Sequence, residues 1–179
     1  ELDALVSMAT YRYNHPATTY ARVVDAEGVV YRAKALAHPF LGDKAVPNDF
    51  AIADGHYYIV TGANMAGKST FLRALGVNYV MALSGMPVSA EEMEVSRFRL
   101  FSSMRTTDDL SHGISYFNAE LRRLHQLIEA VRAGGEQAPG SGKHTLIILD
   151  EILRGTNSLD KLNGSRLFLD YSSRFPVSG

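Results

Sequence analysis

The sequence of 179 residues contains no cysteine, which excludes a disulfide scaffold and any metal site built on thiolates. It has no run that approaches the roughly 18 consecutive apolar residues of a membrane-spanning helix, and no secretory signal opens it. These absences predict a cytoplasmic protein without membrane contact. The first residue is Glu1 rather than methionine, and we expect the chain to be a piece of a longer protein.

The chain also lacks an excess of positive charge. Its 18 Lys+Arg stand against 19 Asp+Glu, for a formal net charge of -1. A domain that grips a DNA backbone by itself usually carries a clear basic excess. The charge balance therefore argues against this chain being the main surface that contacts DNA. Its length suits one α/β domain, and 46% hydrophobic with 21% charged residues is the composition of a globular protein.

Strand patterns alternate with helix patterns along the chain, which predicts an α/β fold with a mainly parallel, layered sheet and a β-rich region near the N-terminus. The predicted helices cover residues 2–11, 68–83, 118–133 and 161–173, and the predicted strands cover residues 56–61, 98–104 and 145–149. Two β-rich runs within residues 20–34 predict a hairpin. Residues 89–92 have the form of a helix capping box, and residues 134–143 have the composition of a flexible loop.

Residues 62–69 read Gly-Ala-Asn-Met-Ala-Gly-Lys-Ser and match Gly-x-x-x-x-Gly-Lys-Ser/Thr, the Walker A pattern of a P-loop. Glycines let the backbone curl so that its N–H groups point at phosphate oxygens, and the following helix adds its positive N-terminal end. Lys68 would contact the β- and γ-phosphates, and the Ser69 hydroxyl would bind Mg²⁺. A glycine-rich turn before a helix is the alternative. The predicted strand before the loop and the predicted helix after it favour the P-loop. The predicted nucleotide-binding residues are Gly62, Ala63, Asn64, Met65, Ala66, Gly67, Lys68, Ser69 and Thr70.

An acidic pair, Asp150 and Glu151, directly follows the apolar run of residues 145–149. A P-loop needs an acidic partner at the end of a neighbouring strand to complete its Mg²⁺ site. We expect Asp150 to bind Mg²⁺ and Glu151 to act as the general base that polarises the attacking water, with Lys68 as the other catalytic residue. An exposed acidic pair without a function is the alternative, and the P-loop upstream argues against it.

These motifs resemble those of the MutS family of DNA mismatch repair proteins. Residues 61–70 resemble the family segment Thr-Gly-Pro-Asn-Met-Gly-Gly-Lys-Ser-Thr, whose Asn-Met pair is far more specific than the generic pattern. Residues 150–157 resemble Asp-Glu-Ile-Gly-Arg-Gly-Thr-Ser, although Leu153 replaces a glycine. Residues 108–117 are similar to Asp-Asp-Leu-Ala-Ser-Gly-Arg-Ser-Thr-Phe. Residues 46–49 match a stretch that precedes the P-loop strand in many members.

The resemblance implies a P-loop ATPase of the ATP-binding-cassette type, in which two domains pair head to tail around bound ATP or ADP and Mg²⁺. It implies that Ser115 reaches a nucleotide in trans, across that interface, although serine is also a favoured helix N-cap. Asp160 matches an acidic residue of the family's nucleotide site, and a helix-capping aspartate is the alternative. Residues 1–16 would end a helix of a preceding lever-type domain. Residues 17–179 would form the ATPase domain without its C-terminal part.

The function that the resemblance implies is Mg²⁺-dependent ATP hydrolysis coupled to DNA binding and clamp movement, in mismatch repair or a related DNA process. The implied partners are a second MutS-like ATPase domain, in a homodimer, and DNA bound through regions outside this chain. One alternative is a nucleotide-gated module with little turnover, in a MutS-related protein not dedicated to mismatch repair. Another is a transporter ATPase, whose Leu-Ser-Gly-Gly-Gln-like signature the sequence lacks. Ala45 stands where many members place an aromatic residue that stacks on adenine.

Overall fold

The computed structural model describes residues 2–63, 65–104, 116–135, 144–153 and 156–179. The chain divides into two compact units, each built from several segments. The first unit contains residues 1–26, 30–53 and 59–97, and the second contains residues 27–29, 54–58 and 98–179. In the part of the chain that is described, no helix is long and apolar enough to cross a membrane.

The first unit is a mixed four-stranded sheet with two helices. Its elements are α1 (Leu2–Asn14), β1 (Arg22–Val24), β2 (Tyr31–Leu36), a short 3₁₀ turn (Gly42–Lys44), β3 (Asn48–Ile52), α2 (Lys68–Leu83) and β4 (Glu92–Ser96). The strand order is β1-β4-β2-β3. β1 runs parallel to β4, whereas β2 is antiparallel to both β4 and β3.

The hairpin predicted within residues 20–34 is wrong. Both runs form strands, β1 and β2, but β4 lies between them. Glu94 of β4 pairs with Arg22 on one side at 3.4 Å and with Arg32 on the other at 2.8 Å. Opposite charges on adjacent strands stabilise such pairing, and the acidic partner lies far along the chain from both arginines. The turn between β1 and β2 therefore does not decide which strands pair.

The capping box predicted at residues 89–92 is also wrong, because this segment leads into β4 and not into a helix. Its main chain bonds to the end of β2: Ala37 N donates to Ser89 O at 2.8 Å, and Glu91 N donates to Lys34 O at 2.9 Å. Pairing with β2 therefore uses the backbone groups that a helix would need for itself.

Helix α2 is anchored to its sheet by a fully buried amide and a buried tyrosine. The Nδ2 group of Asn78 donates to Ala37 O and to Ala74 O, each at 2.9 Å, and its Oδ1 accepts from Ser89 N at 2.7 Å. The hydroxyl of Tyr31 donates to Leu75 O at 2.9 Å, and burial raises the pKa of this tyrosine. These bonds hold the helix against the sheet and so hold the loop that precedes it.

The second unit is a parallel three-stranded sheet with two helices. Its elements are β5 (Arg99–Ser103), α3 (Tyr116–Gly135), β6 (Thr145–Leu149), α4 (Ser158–Ser172) and β7 (Val177–Ser178). The strand order is β5-β6-β7, with both pairs parallel. The predicted strands at residues 98–104 and 145–149 and the predicted helices at residues 118–133 and 161–173 are confirmed. The loop predicted at residues 134–143 lies outside the described residues except for its first two, which end α3.

The strand predicted at residues 56–61 is not formed. This segment pairs with Gly179, whose N donates to His56 O at 3.0 Å and whose O accepts from Tyr58 N at 2.6 Å. One bonded residue is too little for a strand, so the segment reaches the loop at residue 62 without regular secondary structure. The molecule is thus a mixed α/β fold with parallel sheet elements. The division into residues 1–16 and 17–179 stays a prediction.

Candidate functional site

The loop of residues 62–67, called the phosphate loop here, turns sharply before α2. Gly62 has φ 156°, Met65 has φ 65° and Gly67 has φ 89°. Ala66 N closes the turn on Ala63 O at 3.2 Å. A left-handed φ is cheap for glycine, and it costs roughly 1–2 kcal/mol for a residue with a Cβ such as Met65. Asn64 lies outside the described residues.

The start of α2 has the properties of an anion site. The helix begins at Lys68, and its N-cap residue is Gly67, which offers no side-chain hydrogen bond. The first turn contains no acidic side chain, although carboxylates are favoured at that end of a helix. The first four N–H groups of a helix have no partner within the helix and attract anions such as phosphate. Ser69 and Thr70 lie in this turn, as the sequence predicts.

The ammonium group of Lys68 folds back onto the phosphate loop. Its Nζ donates to Gly62 O and to Ala63 O, each at 2.7 Å. An ammonium group carries three N–H donors, and these bonds use two of them. The side chain is half-buried, and its Nζ keeps one donor free of these two carbonyl bonds, so it can exchange its carbonyl partners for another acceptor.

A cavity of about 490 Å³ lies beside the phosphate loop, within the first unit. This volume lies within the range of small-molecule pockets. Its walls are partly apolar and partly polar. The lining residues are Leu36, His38, Leu41, Lys44, Val46, Asn48, Asp49, Val60, Thr61, Ala66, Gly67, Lys68, Thr70, Phe71 and Ala74. Sequence reasoning named only the phosphate-loop side of this cavity and the matching segment of residues 46–49.

Two rings line the cavity, those of His38 and Phe71. Burial lowers the pKa of His38, and the positive charge of Arg73 lowers it further. Ala45 ends the 3₁₀ turn and is not a lining residue, whereas its neighbours Lys44 and Val46 are. His38 stands at the start of the loop that leads to residues 46–49, and this position in the sequence could have predicted it as a residue of the cavity.

The acidic pair follows β6 in the second unit. Asp150 N donates to Ser103 O at 3.0 Å and so extends the β5–β6 pairing by one residue. Asp150 is half-buried and Glu151 is exposed. Glu151 has φ 53° and Leu153 has φ 58°, so the chain leaves the strand through a turn in which two residues adopt left-handed conformations. Each such residue costs of order 1–3 kcal/mol, which the surrounding structure must offset.

Asp160 makes the contacts of a helix cap. Asn157 is the N-cap of α4, and its side chain accepts from Asp160 N at 2.9 Å. The amide of Asn157 donates in turn to the Asp160 carboxylate at 2.7 Å, and the Thr156 hydroxyl donates to the same oxygen at 3.3 Å. Asp160 as a nucleotide ligand stays a prediction.

Several predicted positions lie outside the described residues: Asn64, the segment of residues 108–115 with Ser115, and residues 154–155. The role of Ser115 in trans and its role as a cap both stay predictions. Among the described residues, no group of three or more His, Asp or Glu side chains could hold a metal ion. Lys68 and Ser69 belong to the first unit, and Asp150 and Glu151 to the second.

Comparison with known proteins places this mixed α/β chain in a family. Residues 58–167, more than half of the chain, match the family model described as MutS domain V. The chain is 35% identical over 170 residues to the DNA mismatch repair protein MutS of Thermosipho melanesiensis, an alignment that covers 91% of this chain and 19% of the relative. It is 34% identical over 179 residues to the protein of that name from Geobacillus kaustophilus, covering 96% of this chain and 18% of the relative.

The protein named DNA mismatch repair protein MutS from Thermus thermophilus is 34% identical over 163 residues, which cover 89% of this chain and 18% of the relative. The chain belongs to the MutS family, and the family resemblance inferred from the motifs is confirmed. It spans about a fifth of the length of the curated relatives it matches.

Proposed function

We propose that this chain is the ATPase module of a MutS-family protein, with the P-loop fold of the ATP-binding-cassette type, and that it binds and hydrolyses ATP with Mg²⁺. The observation that carries the proposal is the phosphate loop: Lys68 lies folded over it at the uncapped start of α2, beside a cavity of about 490 Å³. Loop, helix end and cationic side chain are the parts that hold a triphosphate.

In this proposal the first unit binds the nucleotide. The N–H groups at the start of α2 bind the phosphates, and Lys68 leaves Gly62 O and Ala63 O for the β- and γ-phosphate oxygens. The cavity receives the nucleoside. Its apolar residues, among them Val46 and Phe71, would cover the base, and His38 offers a flat ring that can stack on it.

Mg²⁺ fits the donors that the chain provides. Ser69 and Asp150, the two ligands expected from the motifs, are oxygen donors, which Mg²⁺ prefers. The other ligands of such an ion would be waters and phosphate oxygens. Bound Mg²⁺ would neutralise charge on the β- and γ-phosphates.

Glu151 is proposed as the general base. Its exposed carboxylate would accept the proton of a water molecule that attacks the γ-phosphorus, while the bond between that phosphorus and the β-phosphate oxygen breaks. The products are ADP and inorganic phosphate. Asp150, the half-buried residue that precedes Glu151, would bind Mg²⁺. The two adjacent carboxylates would therefore have different roles.

The relatives are named as DNA mismatch repair proteins, and we propose that the ATPase cycle of this chain serves mismatch repair or a related DNA process. In that arrangement two copies pair, Ser115 of one copy contacts the nucleotide of the other, and DNA is bound outside this chain. The near-neutral charge of the chain agrees with DNA contact elsewhere.

The test measures ATP affinity and turnover for the wild type, Lys68→Ala and Glu151→Gln. The matched controls are Lys34→Ala and Glu91→Gln, which remove the two members of one exposed ion pair of 3.0 Å. Loss of the Lys68 charge should raise the ATP Kd about ten- to a hundredfold. Glu151→Gln should leave the Kd unchanged and slow turnover roughly 10²- to 10⁴-fold. Both controls should behave as the wild type.

Two results would contradict this division of roles. An unchanged Kd for Lys68→Ala would remove the phosphate loop as the binding site, and unchanged turnover for Glu151→Gln would remove Glu151 as the base. ATP binding without turnover in the wild type, at every protein concentration, would favour the nucleotide-gated module. If Ser115 acts in trans, turnover per chain rises with protein concentration and Ser115→Ala abolishes the rise.

A further inference from the structure

The turn after β6 adopts a backbone conformation that its own residues disfavour. Glu151 has φ 53° and Leu153 has φ 58°, a region that residues with a Cβ adopt rarely because the Cβ crowds the neighbouring carbonyl oxygen. Such a conformation persists only where surrounding contacts hold it in place. The contacts that hold this turn therefore decide where the carboxylate of Glu151 lies.

Leu153 is held from two sides, by its main chain and by its side chain. Its N–H donates a hydrogen bond to the carboxylate of Glu120 on α3. Its side chain is 7% exposed and belongs to the hydrophobic core of the second unit. It lies against Gly164 of α4, where any Cβ would overlap the Leu153 Cδ1 atom. Helix α3 thus holds the backbone of the turn and helix α4 accommodates its side chain.

Glu120 is a buried acid, with a relative exposure of 8%. A carboxylate in such a place is costly unless hydrogen bonds replace the water that it loses. A backbone N–H that donates to an ionised acceptor forms a stronger bond than one that donates to a neutral acceptor. The bond from Leu153 N therefore serves both partners: it supplies the buried carboxylate with a donor and ties the strained turn to a long helix.

We propose that Glu120 is a positioning residue for Glu151. It acts through Leu153, two residues beyond Glu151, and fixes the turn that presents the Glu151 carboxylate. The inference rests on the proposed function because Glu151 is the general base there. The contact between Glu120 and Leu153 does not depend on that function, so it can be tested separately.

The test compares Glu120→Ala and Glu120→Gln with the wild type. Glutamine keeps an oxygen acceptor of the same reach and removes the charge, and alanine removes the acceptor. Glu129→Gln is the matched control, since Glu129 lies on the same helix and makes an exposed pair with Arg132 at 3.5 Å. The measurements are kcat and KM for ATP with Mg²⁺, and hydrogen exchange at the Leu153 amide. Glu151→Gln is measured alongside.

We expect Glu120→Ala to lower kcat roughly ten- to a hundredfold, the size of effect that a small misplacement of a reacting group produces. KM should change little, because the phosphate loop is untouched. The Leu153 amide should exchange faster. Glu120→Gln should recover most of kcat and part of the protection, and Glu129→Gln should match the wild type. If Glu120→Ala does not fold, Glu120→Gln carries the test, with a smaller loss of kcat and faster exchange.

Unchanged exchange at Leu153 in Glu120→Ala, or in Glu120→Gln where only that variant folds, would overturn the inference whatever the activity. The inference would also be overturned if ATP affinity and turnover fell together and Glu120→Gln did no better than Glu120→Ala. Glu120 would then have a purely structural role. Full turnover in Glu151→Gln would refute the proposed base. The exchange rate at Leu153 would then still show whether Glu120 holds the turn, which separates the two failures.

Discussion

The amide of Asn78 offers a stringent test of how α2 is held. Asn78 is fully buried, and it bonds to groups from two different segments, Ala37 O and Ser89 N, in addition to Ala74 O of its own helix. Asn78→Ala removes all three bonds. The Ala74 carbonyl keeps its hydrogen bond within the helix, so Ala37 O and Ser89 N are the two groups left without the partner that Asn78 provided.

The expected cost follows from these two groups. Each is half-buried, and a polar group left without its partner costs about 1–3 kcal/mol, with half-buried groups at the low end. Two such groups give about 2–4 kcal/mol. Alanine has the better helix propensity by up to about 0.7 kcal/mol. We therefore expect the free energy of unfolding to fall by about 2–3 kcal/mol.

Urea denaturation followed by circular dichroism measures this change, with Ser84→Ala as the control, because the Ser84 hydroxyl makes one exposed bond to Val80 O at 2.8 Å. The control should shift the unfolding free energy by less than about 0.5 kcal/mol. A loss in Asn78→Ala no larger than in the control would refute the reasoning that this amide anchors α2. ATP affinity should weaken along with the anchor, since the helix start binds the phosphates in the proposed function.

Three further predictions concern the phosphate loop and the α4 cap. Gly67→Ala should cost about 1–2 kcal/mol of stability and weaken ATP binding, because φ 89° disfavours a residue with a Cβ. The cost is one of backbone conformation, since the added Cβ would meet no atom within 4 Å. Full ATP affinity in this variant would show that the left-handed turn is dispensable. Asn157→Ala should lower stability by about 1 kcal/mol in thermal unfolding, through loss of the cap. Asp160→Ala should lower stability and leave the ATP Kd unchanged if Asp160 only caps the helix, and a raised Kd would support its predicted role as a nucleotide ligand.

Much of the local structure could be predicted from the sequence because the signals are local. The apolar run of residues 145–149 is β6, and the helix predicted at residues 68–83 is α2, with the same bounds. The sequence likewise predicted the order in which the phosphate loop, a helix, a buried strand and an acidic pair follow one another. A helix closes its hydrogen bonds between residues four apart, so a short window of sequence contains what decides it.

Strand pairing and the surroundings of the site could not be predicted in this way. β4 separates β1 from β2. The segment of residues 89–92 matches the sequence pattern of a helix capping box, but it pairs with β2. The lining of the cavity, with His38, and the support of the acidic turn, with Glu120, also come from distant parts of the chain. Each of these features joins segments that only the folded chain brings together.

The sequence alone thus determined the helices, the strands β5 and β6 and the family motifs, since each depends on residues that are neighbours in the chain. The tertiary structure decided which strands pair and how Leu153 is held in a left-handed turn. Backbone donors and buried carboxylates take the partners that the fold brings within hydrogen-bonding distance. Those partners lie too far away in sequence for any local pattern to encode them.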